Sequence, residues 1–427
     1  MNFRLFKDSL KSRLFQYLAL AGFALHILFY TSAWHRSHFL TPFFPTNQLH
    51  YNHEGLDYYA VPNAAHHFFY KGGTLEGTNG GASGWSESNE YHHKSVYHPI
   101  FTIGVGWPMQ IFKPEVSFLL WQLVNLFLTL IVIYWLRKKE AGHPYLNFVT
   151  FVFLGFFAQY QSIKIAQYQQ ILNLVLLFFL FYLQERKRVQ SYLTMVLSLL
   201  IKPAGIFLMP ILFLRRHYIL SILSFTTFIL LTVPFHFWDK TNYFTKHIYE
   251  RALNMPYPYS DQYSLVSLLQ EYFNSTKLQL SALKLLYFSF LSVLAIRKQN
   301  SISCLILGSL LGYIYFEYAI FEYHYTIFIP ILVFGVLTEK SFQNPISLFL
   351  IFIMFLPSVF FVFQLLQIHA TPFGDLKPEG WLWVNLSRLM PVSLLFAWIV
   401  IIENINWFLE IKQTWKFARH LKSLYQV

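Results

Sequence analysis

The stretch EVSFLLWQLVNLFLTLIVIYWLRKK, residues 115–139, decides the fold. Its apolar part has roughly the twenty residues that an α-helix needs to cross the hydrocarbon core of a bilayer. Three basic residues follow at once, as they do where a membrane span meets the cytoplasm. Apolar runs of this kind recur along the chain, whereas a β-barrel would show alternating segments of about ten residues. The sequence therefore predicts an all-α, polytopic membrane protein.

The composition agrees with this class. Of the 427 residues, 55% are hydrophobic and only 12% are charged, where a soluble domain has about a quarter of its residues charged. The net charge is +12, but the basic residues form short clusters between apolar runs. That pattern sets membrane topology, so a nucleic-acid partner is not expected. Cys304 is the only cysteine, which excludes an internal disulfide and a cysteine metal cluster.

Length and hydrophobicity predict ten membrane spans. They are residues 14–33, 115–136, 145–162, 168–185, 218–236, 278–296, 301–320, 324–338, 345–368 and 385–405. Residues 98–112 are short for a crossing and contain two prolines. With the re-entrant segment described next, we expect about ten to thirteen transmembrane or re-entrant helices, in a single integral membrane domain, 1–427.

Residues 191–214 carry Lys202-Pro203 at their centre and lie between two basic clusters. One straight span would place the clusters on opposite sides of the membrane. Two half-helices that meet at Lys202-Pro203 keep both clusters on the same side. Broken helices occur at membrane depth only where protein or a wet cavity surrounds them, so we predict such a pair here.

The basic clusters define one consistent topology. Placing residues 137–139, 186–188, 215–216, 297–298 and the basic tail, 406–427, in the cytoplasm puts both termini there. The first apolar run is too long for a signal-peptide core, so we interpret it as an uncleaved span. Residues 34–97, 237–277 and 369–384 then form external loops. We expect a bacterial inner (plasma) membrane with the functional site at its external, periplasmic face.

The first external loop contains GLDYYAVPNAAHHFFYKGG, residues 55–73. Its apolar residues recur every three or four positions, which predicts a helix lying along the membrane surface. Asp57 falls in the first turn, where a carboxylate is either a helix cap or a functional group. Glu54 is a second candidate, and the ring of Tyr58 could pack against a sugar. The loop is rich in histidine, but no spacing typical of a zinc site occurs, so no metal ligand is assigned.

Two further segments bring polar side chains to the ends of spans. Tyr97 and His98 lie at the membrane entry of the segment 98–112, where tyrosine also serves as a plain interface anchor. Farther on, Lys164, Gln167, Gln169, Gln170 and Asn173 cluster in IKIAQYQQILNL, residues 163–174. Amides both donate and accept hydrogen bonds and so can recognise sugar hydroxyls. Hydrogen bonding between helices is the alternative.

Two more positions place ionisable groups against the apolar pattern. Lys202 lies in an apolar stretch, and a buried lysine requires an anion, either a lipid phosphate or a carboxylate. Residues 315–330, YFEYAIFEYHYTIFIP, hold Glu317, Glu322 and His324 between two spans. His324 is either a hydrogen-bonded structural residue or part of a polar pocket.

In chain order these segments resemble those of the GT-C superfamily of membrane glycosyltransferases. They are most similar to glycosyltransferase family 87, the polyprenol-phosphate-mannose-dependent α-mannosyltransferase-like family. The 55–73 stretch looks like that family's acidic loop motif, and YHPIF, 97–101, resembles its Tyr-Pro-Pro motif with His98 for the first proline. AQYQQILN, 166–173, resembles its Gly-Gln-x-Asn motif with Ala166 for the glycine and extra residues before the asparagine. LIKPAGIFLMPILFLRR, 200–216, and EYHYTIFIPIL, 322–332, resemble its Lys-Pro and His-Tyr segments, so that the resemblance spans residues 14–335.

The resemblance implies a GT-C-like fold and transfer of mannose, or a related hexose or pentose, from a polyprenyl-phosphate donor. The acceptor would be a hydroxyl of a glycolipid, glycan or protein, and Asp57 would be the catalytic base of an inverting reaction. Lys202 and His324 would bind the donor phosphate. Glu54, Tyr58, Tyr97, His98, Gln167, Gln170 and Asn173 would contact the substrates. No cofactor or metal is expected, because a monophosphate does not require a bridging cation.

A transporter or flippase of a lipid-linked sugar is the alternative, since it would also have broken helices and polar residues within spans. Such proteins often show inverted repeats, and none is visible here. An enzyme similar to O-antigen ligases or polymerases is a third possibility, but its large loop usually comes late in the chain.

Overall fold

The computed structural model describes residues 3–35, 39–40, 43, 56–70, 97–238, 263–317, 320–366, 368 and 377–424. Within these ranges the chain forms helices and no strand, which confirms the predicted all-α class. The α-helices are α1 (Phe3–Trp34), α2 (Leu56–Tyr70), α3 (Pro99–Met109), α4 (Pro114–Lys139), α5 (Leu146–Leu154), α6 (Ala158–Lys164), α7 (Gln169–Gln184), α8 (Arg188–Ile201), α9 (Met209–Leu214), α10 (Tyr218–Trp238), α11 (Leu265–Phe273), α12 (Lys277–Ile296), α13 (Ile302–Phe316), α14 (Phe328–Thr338), α15 (Pro345–Phe355), α16 (Phe360–Leu366) and α17 (Pro378–Leu424). Two 3-10 helices, Pro203–Leu208 and Glu322–Ile327, precede α9 and α14.

In the part of the chain that the structure describes, five helices are long and apolar enough to cross a membrane, within α1, α4, α10, α12 and α17. Two bent pairs, α5 with α6 and α15 with α16, each have the length and composition of one further span. Shorter apolar segments form the rest of the bundle, namely Gln169–Gln184, Arg188–Ile201, Ala204–Leu214, Ile302–Phe316 and Glu322–Thr338. Together these units agree with the predicted polytopic bundle of full and broken helices.

Two spans that the sequence predicted as straight are bent. The pair α5–α6 turns by 46° after Gly155, and the pair α15–α16 turns by 57° around Pro357. Proline forces the residue before it into an extended conformation, and Leu356 has that conformation. The breaks touch, since the amide of Phe157 donates to the carbonyl of Phe355 at 3.3 Å. The apolar run 145–162 gave no sign of the first bend, whereas Pro357 within the run 345–368 marks the second.

The predicted half-helices at Lys202-Pro203 are confirmed. Helix α8 ends at Ile201, Lys202 is extended, and the chain turns back as a 3-10 helix followed by α9. A Cβ on Gly205 would lie 2.9 Å from the Ser198 hydroxyl and 3.2 Å from the Leu199 side chain, so the lack of a side chain at Gly205 favours this close return. The Ser221 hydroxyl near the start of α10 bonds the Met209 carbonyl at 3.0 Å, which places α9 beside that start.

The basic clusters collect at one end of the bundle, here called the basic end: residues 137–139, 186–188, 215–216 and 297–298. Lys139 and Lys187 both pair with Glu185, and these two lysines lower the pKa of that carboxyl. Arg215 donates to the carbonyl of Asn300. The opposite end, here called the site end, contains the breaks at Gly155, Lys202 and Leu356. The described clusters therefore share one end of the bundle, and the side of the membrane that this end faces stays a prediction.

The external loops are described only in part. In the first loop, 34–97, the predicted helix is present as α2, and it packs on α3, where a Cβ on Gly106 would lie 2.6 Å from the Val61 carbonyl oxygen. Of its predicted apolar positions, Tyr58, Val61 and Ala65 are buried, whereas Phe69 is exposed; Tyr59, Ala60 and Ala64 are buried too, so the first part of the helix is enclosed on more than one face. In the second loop, 237–277, α11 forms a helix that was not predicted.

Candidate active site

Lys202 lies at the helix break, and only 7% of its surface is exposed. Because Pro203 follows, the chain leaves the helix at this residue and carries the ammonium to the site end. The Nζ atom lies 3.4 Å from Oε1 of Gln167 and 3.3 Å from Oε1 of Gln169. It also lies over two aromatic rings, 5.9 Å from the centroid of Tyr97 and 5.1 Å from that of Tyr323. Amides and ring faces therefore surround a buried cation.

Gln167 is held in place from two sides. The Tyr97 hydroxyl donates to its Oε1 at 2.6 Å. Its backbone N–H donates to the Ser162 carbonyl at 2.9 Å, which closes the turn between α6 and α7. Ala166, in this turn, has a φ of +51°, a left-handed conformation that favours glycine. The Gly-Gln-x-Asn motif that this segment resembles has glycine at this position. The left-handed backbone of Ala166 belongs to the turn that presents Gln167.

The remaining amides divide into two groups. Gln169 donates to Oδ1 of Asn173 at 3.1 Å and so extends the Lys202 cluster along α7. Gln170 instead accepts from the Tyr30 hydroxyl at 3.3 Å and donates to Thr129 at 2.8 Å. These contacts link three helices, which matches the interhelical alternative for Gln170. Both Gln170 and Asn173 also line a cavity large enough for about one water molecule.

Helix α2 is tied to this cluster through Tyr58. Pro62 has no N–H, so it leaves the carbonyl of Tyr58 without its usual helical partner. The hydroxyl of Tyr168 donates to that carbonyl at 3.2 Å, and the ring of Tyr168 packs edge-on to Tyr97 at 4.8 Å. The Tyr58 hydroxyl contacts Ser117 on α4. The start of α2 therefore lies at the site end.

Asp57 is the residue before Tyr58 and falls in the first turn of α2, as predicted. Its side chain lies outside the described part of the structure, and so does Glu54. Their predicted roles stay predictions. The backbone of Asp57 is adjacent to Tyr58, whose carbonyl accepts from Tyr168, and Tyr168 lies between Gln167 and Gln169 in the sequence.

His98 is fully buried and caps α3. Its Nδ1 accepts from the amide of Ile100 at 3.2 Å, so Nε2 carries the proton and donates to Thr232 at 2.9 Å. Burial lowers the pKa of His98 to about 4, which keeps the ring neutral. Both ring nitrogens serve helix packing, so the described contacts of His98 are structural rather than directed at Lys202.

His324 belongs to the 3-10 helix Glu322–Ile327, which the preceding residue enters in an extended conformation. Its Nδ1 accepts from the amide of Phe321 at 3.0 Å, and its ring stacks on Tyr323 with centroids 4.1 Å apart. The Tyr323 amide donates to Oε1 of Gln161 at 3.0 Å. The Tyr323–His324 stack thus forms one side of the Lys202 site.

Sequence reasoning missed several residues around this site. Arg388 forms a buried ion pair with Glu322, and Tyr263 adds its hydroxyl to the same carboxylate. Tyr168 and Gln161 position the backbone of α2 and of Tyr323. Arg388 could have been found, because it is a charged residue inside the predicted span 385–405. Tyr168 could not, since tyrosine is common at span ends.

The helical bundle therefore gathers buried polar groups at one end. The model of glycosyltransferase family 87 matches residues 96–315, about half of the chain. The protein belongs to glycosyltransferase family 87. The matched region includes Tyr97, Gln167 and Lys202, while Asp57 and His324 lie outside it. A search of curated proteins found no match.

Proposed function

We propose that this glycosyltransferase uses a polyprenyl-phosphate sugar as donor, with mannose or a related hexose or pentose as the sugar. It transfers the sugar to a hydroxyl of a glycolipid, glycan or protein acceptor. The observation that carries the proposal is the convergence of Tyr97, Gln167, Lys202 and Tyr323, distant in sequence, around one buried cation. Family membership supports the class of reaction.

The donor phosphate binds Lys202. An ammonium group at this depth can bind a phosphate through charge-assisted hydrogen bonds, which are stronger than those between neutral groups. A polyprenyl chain stays in the bilayer, since each buried methylene contributes about 0.8 kcal/mol. A phosphate on that chain is therefore held at the membrane boundary, where the break after α8 presents the lysine. His324, stacked beside Tyr323, is the second phosphate-binding group.

Asp57 is the general base. Its carboxylate takes the proton of the acceptor hydroxyl while that oxygen attacks the anomeric carbon from the face opposite the phosphate. The bond between the anomeric carbon and the phosphate oxygen breaks, and its electron pair leaves with polyprenyl phosphate. The anomeric configuration is inverted. Lys202 stabilises the charge that develops on the leaving phosphate.

The sugar is bound by the groups around the cation. Gln167, Asn173, Tyr58 and Tyr97 are the central candidates, because they lie in the hydrogen-bonded cluster of Lys202 and the start of α2. Glu54, His98 and Gln170 are the outer candidates. Buried amides can both donate to and accept from sugar hydroxyls.

The site end faces outward. Basic clusters mark the cytoplasmic side of membrane proteins, and those that the structure describes lie at the end opposite Lys202. A bacterial plasma membrane with both termini in the cytoplasm and an external active site fits this arrangement.

Replacement of Asp57 by Asn tests the proposal. Transfer of labelled sugar from a polyprenyl-phosphate donor, measured in membranes, should fall by about 10²–10⁴-fold, the usual contribution of a general base. Glu115→Gln is the control, because Glu115 is an exposed carboxylate in the first turn of α4. Normal transfer by a well-expressed Asp57→Asn variant would remove Asp57 as the base.

A further inference from the structure

A buried ion pair joins Glu322 to Arg388 at the site end. The side chains are 0% and 3% exposed. Glu322 opens the 3-10 helix that carries Tyr323 and His324, and Arg388 lies 66 residues later on α17. The pair therefore connects the lining of the Lys202 site to the last helix of the bundle.

Further hydrogen bonds extend the pair to two other elements. The Tyr263 hydroxyl lies 3.5 Å from Oε2 of Glu322, and the Tyr263 amide donates to the Ile320 carbonyl at 2.8 Å. Arg388 also donates to the carbonyls of Met354 at 3.2 Å and Leu356 at 2.7 Å. These carbonyls lie at the break between α15 and α16, where the helix no longer continues. One guanidinium therefore bonds both the bend and, through Glu322, the 3-10 helix.

The residue after Glu322 is Tyr323, whose ring lies 5.1 Å from the Lys202 ammonium. A shift of the 3-10 helix would move both this ring and the His324 ring stacked on it. The Tyr323 backbone is held as well, because its amide donates to Gln161 at 3.0 Å and its carbonyl accepts from the Thr326 hydroxyl at 2.7 Å. The ion pair anchors the residue next to the Tyr323–His324 stack to α17.

Stability alone is a weak reason for such a pair. Removing two charges from water costs about as much as their attraction returns, and apolar replacements of similar volume are often neutral or stabilising. Loss of one partner is costly, because it leaves the other charge buried and uncompensated. A buried pair beside a binding site is better explained by the geometry that it imposes.

We propose that the Glu322–Arg388 pair is a positioning unit that sets the affinity of the site for the donor phosphate. It holds the Tyr323–His324 stack against Lys202. This inference rests on the proposed function, because it takes the ligand of Lys202 to be a polyprenyl phosphate.

The experiment compares Glu322→Gln, Arg388→Met and the double variant. Each protein is purified in lipid discs, and its thermal unfolding and its binding of polyprenyl phosphate are measured. The single variants should unfold at lower temperature, and the double variant should recover part of the loss, because it leaves no uncompensated charge although the carbonyls of Met354 and Leu356 still lack the Arg388 donor. The affinity of the double variant for polyprenyl phosphate should nevertheless stay about tenfold weaker than that of the wild type.

Two further variants complete the test. Glu403→Gln removes a carboxylate that bonds Ser301 and Ser341, two residues far from Lys202, and should lower stability without changing the affinity of the folded protein. Tyr263→Phe removes one hydroxyl from the pair and should weaken binding two- to threefold even if the other variants fail to fold.

The outcomes separate the two proposals. A stable double variant with wild-type affinity, or an unchanged affinity in Tyr263→Phe, overturns the positioning role alone. A wild type that does not bind polyprenyl phosphate overturns the proposed donor, and the inference with it. Weaker binding by a stable double variant supports the positioning role, because a purely structural pair would give wild-type affinity in the folded protein.

Discussion

Replacing Lys202 by Met removes the ammonium while keeping a side chain of similar length. In the proposed complex the ammonium forms a charge-assisted hydrogen bond to the donor phosphate, which contributes about 1.5–3 kcal/mol. Since about 1.4 kcal/mol corresponds to a tenfold change in affinity, polyprenyl phosphate should bind about 10- to 150-fold more weakly.

The same substitution should have a smaller effect on folding. The hydrogen bonds that it removes, at 3.3 and 3.4 Å, are longer than the usual range for N–H···O bonds. Oε1 of Gln167 also keeps its bond from the Tyr97 hydroxyl at 2.6 Å. The lost contacts with two ring faces contribute about 1–2 kcal/mol. The variant should therefore fold, with a modestly lower unfolding temperature.

The assay is equilibrium binding of polyprenyl phosphate to purified protein in lipid discs, alongside thermal unfolding. Lys187→Met is the control, because it removes an ammonium at the basic end that is half exposed and lies 2.8 Å from Glu185. Wild-type affinity in a folded Lys202→Met variant would refute the assignment of the phosphate site. Equal loss in both variants would show only a general charge effect.

Three further predictions concern the supports of the site. Tyr168→Phe leaves the buried Tyr58 carbonyl without its described donor and should lower the free energy of unfolding by about 1–3 kcal/mol. Adding Pro62→Ala restores an N–H that can bond this carbonyl and should recover part of the loss. A double variant that is no more stable than Tyr168→Phe in thermal unfolding would contradict this. Ala166→Gly should unfold at the same or a higher temperature than wild type, and Ala166→Val at a lower one, because a β-branched residue is strained at a φ of +51°. Equal unfolding temperatures of the two variants would argue against backbone strain at this position. The pKa of His98 falls from 6.5 to about 4 on folding, so the neutral ring's contribution to folding stability is complete above pH 6.5 and is lost as the pH falls toward 4, up to about 3 kcal/mol. The free energy of unfolding of His98→Gln should therefore fall less between pH 7 and pH 4.5 than that of the wild type. Equal pH dependence of the two proteins would exclude this role.

The elements that the sequence predicted best are those set by local physics. Long apolar runs specify spans such as α4, and a proline after Lys202 specifies the break, since both effects act within a few residues. The bend after Gly155 was not predictable, because glycine within an apolar run is also common in straight membrane helices.

The site shows the same limit. Lys202 and Gln167 could be selected as polar residues at span ends, and the structure brings them together. The sequence could not distinguish Gln169, which contacts Lys202, from Gln170, which bonds Tyr30 and Thr129. Adjacent residues on a helix point in directions about 100° apart, so the choice depends on how the neighbouring helices pack. The pairing of Glu322 with Arg388 likewise depends on tertiary structure.

The most direct test of the account is a cryo-electron microscopy structure of the protein in lipid discs with polyprenyl phosphate bound. The account predicts density for the phosphate about 2.7–2.9 Å from the Lys202 ammonium, beside the Tyr323–His324 stack and at the same end as the start of α2. A phosphate bound at the basic end, among Arg186, Lys187 and Arg188, would contradict it.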